Sequence, residues 1–244
     1  MRADRILQWE GCWNVRDLGG LPLAGGGETR FGAVVRSDDP CKLTAAGWRA
    51  LEAHGVRTVV SLQTLGAERD DADAARRPDG IATVRVHVED FGDEVLVARL
   101  NERFAGANVW STPLYYPDAL ERWPERSAAA LRAVANAPTG GVLVHCGVGR
   151  DRTGLVALLM LALVGVSHDA IVRDFEESYR GMAAAGRADE LGEIDALLER
   201  EGVSAGECIR STLAAVDVEA CLRAGGLRGS EIRALRERLA GRSG

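Results

Sequence analysis

The segment Val142-Leu-Val-His-Cys-Gly-Val-Gly-Arg-Asp-Arg-Thr-Gly154 sets a thiol six positions before a guanidinium, with two glycines between them. An apolar run ends at His145-Cys146, five residues turn the chain, and Arg152-Thr153-Gly154 opens a second apolar run. That order suits a tetrahedral oxyanion. A short loop between strand and helix can point successive backbone N–H groups into one concavity. Gly147 and Gly149 let the backbone turn without a Cβ clash and approach a ligand closely. A helix beginning near Thr153 adds unpaired N–H groups and the positive end of its dipole. Arg152 brings a planar fork that can hold two phosphate oxygens at once. Residues Gly147, Val148, Gly149, Arg150, Asp151 and Arg152 are therefore the expected phosphate-binding loop.

Cys146 stands where these positive groups converge. Its thiol is expected to be acidic, in the ~3.5–7.5 range seen at helix N-termini beside cations, and its thiolate is a competent nucleophile. Thr153 can donate a hydrogen bond to the sulfur. His145 is expected to brace the loop as a structural hydrogen-bonding residue rather than as the base. The plainer alternative is a buried cysteine in a tight strand–helix turn. Cys-x5-Arg alone carries little weight, because this chain has twenty-nine arginines and five cysteines. The added His, Gly, Thr and Gly, in strand–loop–helix context, favour the chemical reading.

These residues resemble a known family. His145-Cys-Gly-Val-Gly-Arg-Asp-Arg-Thr-Gly154 is similar to the HCxxGKDRTG loop of cysteine-based protein tyrosine phosphatases. Within them it resembles the atypical bacterial branch acting on phosphotyrosine, phosphoserine/threonine and phosphoinositides. Asn14-Val-Arg-Asp-Leu-Gly-Gly20 resembles that branch's NFRDLGG segment. Arg36-Ser37 with Leu43-Thr44 resembles its RSxxLxxLT segment. Tyr116 falls where members carry a helix-start tyrosine, and Gly229-Ser230 to Leu239 is similar to their C-terminal helix. The likeness is strong over 12–20, 31–62 and 141–180 and weak between. Two positions depart from it. Arg150 replaces a lysine, turning a point ammonium into a fork. Ser61-Leu62-Gln63-Thr64 replaces Asp-Leu-Arg-Ser, removing an ion-pair option.

The resemblance implies two displacements through a phosphocysteine, with no metal and no cofactor. A leaving alkoxide or phenoxide then needs an acid. The candidates are Asp90, Asp93, Asp118 within Tyr116-Pro117-Asp118, and Asp151 in the loop. The branch-level match places an acidic loop at Val88-Glu89-Asp90, so Asp90 is favoured. Each of these carboxylates is alternatively an ordinary helix cap or loop residue. Arg16, Asp17 and Arg36 either reach the pocket rim or form a fold-stabilising salt link. A second cysteine forming a reversible disulfide with Cys146 is a further option.

The elements that must position this loop are legible in outline. Short β-branched runs at 32–36, 57–62, 81–88 and 142–145 alternate with helical patterns, the first helix capped by Thr44 and stopped at Gly55. Helices are expected over 92–104 and 118–136, the second broken or started at Pro124. From 168 onward the pattern is helical throughout, with Ile171, Val172, Phe175 and Tyr179 on one face. The expected fold is α/β, a mostly parallel central sheet flanked by helices. One phosphatase domain spans 1–244, with 187–244 as helical cover.

Composition narrows the class. The 244 residues are 46% hydrophobic and 27% charged, which excludes a disordered or collagen-like chain. Net charge is −6 with no block of five like charges, so no nucleic-acid partner is expected. Five scattered cysteines (12, 41, 146, 208 and 221) read as free thiols in a reducing compartment. No signal peptide or stable membrane insertion is expected, since the apolar run 155–166 is about half a ~20-residue span. The reading is a cytoplasmic phosphatase for a phosphorylated protein or a small phosphate monoester, with oligomeric state open. Its rivals are a metabolite or phosphoinositide phosphatase, a non-catalytic phosphate-binding module and a rhodanese-like sulfur transferase.

Overall fold

The sheet is organised around the strand that leads into the Cys146 loop. A computed structural model describes residues 3–64 and 77–241. Five strands are ordered β1-β2-β5-β3-β4: β1 (Arg16–Asp17), β2 (Val34–Ser37), β3 (Val56–Thr64), β4 (Ala82–Glu89) and β5 (Gly141–His145). Among these strands, within the described residues, the β1–β2 pair is antiparallel and the other pairs are parallel. β5 therefore lies between β2 and β3, buried along its whole length. Its carboxyl end opens beside those of its parallel neighbours, where open α/β sheets build their ligand crevices.

Strand periodicity explains the two layers. Successive side chains point to opposite faces. Val34, Val60, Leu62, Val142 and Val144 face one apolar cluster, and Val35, Val59 and Leu143 face another. The smaller cluster is closed by Trp9, Val15, Leu43 and two residues of α1 (Ala45–Ala53), Trp48 and Leu51. Thr44 caps that helix as expected, its side chain accepting from Gly47 N at 3.2 Å.

The larger cluster is covered by the remaining helices. In chain order these are α2 (Glu94–Arg103), α3 (Tyr116–Arg122), α4 (Pro124–Ala135), α5 (Asp151–Leu163) and α6 (His168–Ala184). They are followed by α7 (Ala188–Arg200), α8 (Ala205–Ala215), α9 (Val218–Ala224) and α10 (Gly229–Ala240). α5 is apolar nearly all round because it is enclosed. The last four helices place Ile194, Ile209, Leu222 and Leu235 in the same cluster as the sheet. Among the described residues, no helix is long and apolar enough to cross a membrane.

β4 departs from simple alternation. Val84 is exposed at the open edge, and a register shift at Gln63/Thr64 sets Glu89 opposite Thr64. Val88 and Glu89, neighbours in sequence, are both buried as a result. α5 begins at Asp151, two residues before the Thr153 start expected from sequence.

Candidate active site

The loop joining β5 to α5 is held by its carbonyls. His145 Nδ1 donates to Cys146 O at 3.1 Å. Asp39 N donates to Gly147 O at 3.3 Å, and Lys42 Nζ lies 3.5 Å from the same oxygen. Asn14 Nδ2 donates to Val148 O at 3.0 Å. Arg36 Nη2 reaches Gly149 O at 2.9 Å and Arg150 O at 3.3 Å. The carbonyls of 146–150 are thus all tied to surrounding groups. Gly149 N donates to Cys146 Sγ at 3.2 Å. The first-turn N–H groups of α5 are further donors here, having no partner within their own helix.

Two glycines permit close approach, Gly149 in the turn itself and Gly154 in the first turns of α5. Gly149 has φ +73°, and a Cβ there would stand 2.4 Å from Ser37 O. At Gly154 a Cβ would meet the Phe175 ring at 2.6 Å and Tyr116 Oη at 2.9 Å. Gly147, expected to be needed for the turn, has no such requirement: its backbone is ordinary and a Cβ would meet nothing within 4 Å.

Arg152 is aimed from the first turn of α5. Its Nη1 donates to Leu62 O at 3.2 Å, and its Nε lies 3.5 Å from Glu89 Oε2. Burial works to lower its pKa. The Cys146 sulfur and then Glu89 outweigh that and hold it above the ordinary arginine value. Glu89 is buried and accepts the Tyr115 hydroxyl at 2.8 Å on its other oxygen. A thiol, the Gly149 amide that donates to it and a guanidinium under its electrostatic influence thus meet at the loop between β5 and α5. The set is equipped to bind a tetrahedral dianion and to attack it.

A family model described as "Tyrosine phosphatase family" matches residues 7–241. The chain belongs to this family. A protein of Cupriavidus necator named as a tyrosine-protein phosphatase is 33% identical over 172 residues, covering 70% of this chain and 62% of the relative. The triple specificity protein phosphatase PtpB of Mycobacterium tuberculosis is 31% identical over 200 residues, 71% of this chain and 69% of PtpB. A tyrosine-protein phosphatase of Nostoc commune is 31% identical over 147 residues, 59% of this chain and 47% of the relative. The resemblance to cysteine-based tyrosine phosphatases and the α/β fold implied by the sequence both stand.

Within this tyrosine phosphatase framework the sequence candidates separate. Cys146, Arg152, His145 and the backbone of 147–151 are brought together. The Arg150 side chain is turned away from the concavity. Its guanidinium is buried, held by Asp151 Oδ1 at 2.9 Å, Asp151 Oδ2 at 3.0 Å and Ser111 O at 2.8 Å. Only its peptide group belongs to the loop, because a second buried guanidinium is accommodated best beside a carboxylate. Thr153 Oγ1 is buried without a hydrogen-bond partner, so the expected bond to the Cys146 sulfur is not formed.

The four aspartates go to different places. Asp90 accepts from Arg126 Nη2 at 2.6 Å and from Gly92 N at 2.9 Å. Asp93 caps α2 and pairs with Arg122 and Trp123. Asp118 faces Arg99 and Arg103 on α2. Asp151 alone of the four lies on the loop, and Tyr116 Oη holds its backbone carbonyl at 2.7 Å. Arg16 and Arg36 pair with buried Asp174, while Asp17 pairs with His54 at 2.7 Å. All five cysteines are free. Burial, with Asp38 adding to it, pushes the Cys12 thiol far up, and burial raises Cys208 to about 11.

Sequence reasoning missed Glu89 as the partner of Arg152. Its signal was a carboxylate at the end of the apolar strand Val86-His-Val-Glu89, just before Asp90, where a buried charge calls for a cation. The Leu62 carbonyl holds Arg152, while the side chains of Gln63 and Thr64 lie outside the described residues.

Proposed function

We propose that the chain hydrolyses phosphate monoesters, phosphotyrosyl protein foremost, through a phosphocysteine. The observation that supports this is the loop: carbonyls of 146–150 tied to surrounding groups, Gly149 N on the sulfur and Arg152 under its electrostatic influence. Cys146 Sγ attacks phosphorus in line, forming the S–P bond as the ester P–O bond breaks. Arg152 and the loop amides hold the three equatorial oxygens, so positioning and charge stabilisation supply most of the rate. The leaving oxygen takes a proton from an aspartate. Water then gives that residue its proton, attacks phosphorus and releases phosphate and thiolate.

Asp151 is our choice for this acid–base role. It opens α5 directly beside Arg152 on the loop that carries Cys146, whereas Asp90 is held by Arg126 Nη2 at 2.6 Å and by Gly92 N at 2.9 Å. Asp90 and Asp151 both sit against an arginine, so whichever serves must exchange that partner for the substrate oxygen. A broader choice of phosphate ester is supported by the 31% identity to PtpB, which is named a triple specificity protein phosphatase. A cytoplasmic setting is supported by the five free thiols.

The test is Cys146→Ser on an aryl phosphate and a phosphotyrosyl peptide. Turnover is expected to vanish while phosphate still protects the fold against heat. Undiminished turnover would dismiss the mechanism.

A further inference from the structure

Three guanidinium groups, each at most 2% exposed, converge behind the loop on the carboxylate of Asp174 in α6. Arg5 Nη2 lies 2.5 Å from Asp174 Oδ1, Arg16 Nε 3.1 Å from the same oxygen, and Arg36 Nη1 2.8 Å from Oδ2. Arg16 and Arg36 are cross-strand partners of β1 and β2. Like charges in that position repel unless an anion is shared between them.

The three are not equivalent. Arg5 spends its other contact on Asp17 O, and Arg16 on Asn14 Oδ1, Ser178 Oγ and Asp174 O. Arg36 alone reaches the active loop, its Nη2 bridging the carbonyls of Gly149 and Arg150. The first residue it grips, Gly149, is the one whose own amide points at Cys146 Sγ, and the two gripped carbonyls lead into the turn that launches Arg152. β2 fixes the bridge from below, since Arg36 pairs with Val144, two residues before Cys146.

We infer that Asp174 and Arg36 form a positioning relay: the carboxylate orients one end of the guanidinium, and the other end sets the pitch of the Gly149–Arg150 peptide against the transferring phosphoryl group. This rests on the phosphatase reading above. The geometry demands arginine. A lysine ammonium has one nitrogen and cannot hold Asp174 and two carbonyls in one plane. Displacing loop donors by even ~1 Å can reduce rate on the order of a hundredfold. Because the relay touches no substrate, its loss is expected in kcat and in affinity for a transition-state mimic, with KM for the ground-state ester changing little.

The experiment compares wild type, Arg36→Lys, Asp174→Asn and Arg5→Met. It records kcat and KM on an aryl phosphate, inhibition by orthovanadate, and Tm. Arg36→Lys is expected to lower kcat and weaken orthovanadate in parallel, on the order of ten- to a hundredfold. Asp174→Asn should move both in the same direction. Arg5→Met, which shares Asp174 but not the loop, is expected to lower Tm and leave kcat near wild type. If Arg36→Lys folds and keeps wild-type kcat and orthovanadate inhibition, the relay is overturned. It is likewise overturned if kcat in all variants merely tracks Tm. An inactive wild type removes the phosphatase reading and this inference together, whereas an active wild type with undiminished Arg36→Lys removes this inference alone. Should Arg36→Lys not fold, Asp174→Asn carries the same comparison.

Discussion

Glu89, the last residue of β4, and Arg152, in the first turn of α5, face each other, Oε2 lying 3.5 Å from Nε, with both side chains largely withdrawn from solvent. The carboxylate fixes the guanidinium from behind, so its donor edge can be presented to a ligand. Tyr115, buried and donating to the other carboxylate oxygen, keeps Glu89 from rotating away. Burial, with Glu89 adding to it, raises the Tyr115 phenol well above its ordinary value, so it remains a donor. Glu89→Gln is expected to cost about 1–3 kcal/mol of transition-state stabilisation, seen as a fall in kcat/KM. Tyr115→Phe should lose about 0.5–1.5 kcal/mol of stability and less activity. Steady-state kinetics beside denaturant curves check both; unchanged kcat/KM in Glu89→Gln would show that the Glu89 carboxylate does not position Arg152.

The acid is assigned by leaving-group dependence. Asp151→Asn is expected to slow a poorly leaving phenol by on the order of a hundredfold or more, and a nitrophenol far less. Asp90→Asn should disturb the Arg126 contact without producing that slope. The reverse pattern across a series of aryl phosphates transfers the role to Asp90.

Substitution of the loop glycines should separate backbone demand from proximity to the ligand. Gly149→Ala forces a positive φ on alanine and drives Cβ to 2.4 Å from Ser37 O and 2.6 Å from Asp38 N. Strain of this kind amounts to about 1–3 kcal/mol before the clash is counted. Gly147→Ala places its methyl in open space and is expected to stay within about 0.5 kcal/mol of wild type. Urea midpoints of the two variants decide it, and equal destabilisation would contradict the loop geometry.

What could be read from sequence was local. Strand, loop and helix follow from the apolar runs on either side of Cys146–Arg152, and the Thr44 cap from a hydroxyl beside a helical pattern. What could not be read depends on residues far apart in the chain. Glu89 is buried beside Val88 only because the β3–β4 register slips at Gln63/Thr64, and a one-residue slip reverses the face a side chain takes. The direction of Arg150 is set by Ser111 O, supplied by a segment thirty-nine residues earlier. Arg16 and Arg36 meet Asp174 across separations of 158 and 138 residues, so spacing gave no hint of their shared partner.

Acid should weaken the C-terminal helix first at its cap. Glu231 in α10 is drawn from 4.5 to about 2, chiefly by the hydrogen bond from Arg228, with Asn136 contributing. Arg228 Nη2 lies 2.6 Å from its Oε1, and the Arg228 backbone N–H donates to Oε2 at 2.8 Å. The folded pKa is below the unfolded one, so the unfolded chain takes up the proton first as pH falls. The stabilising contribution is therefore complete above about 4.5 and is lost progressively toward about 2. Glu231→Gln is expected to be less stable than wild type at pH 7, with the two urea midpoints converging between pH 4.5 and 2. Midpoints that stay a constant distance apart across that window would show that the carboxylate's charge contributes nothing, and that only its shape supports the cap.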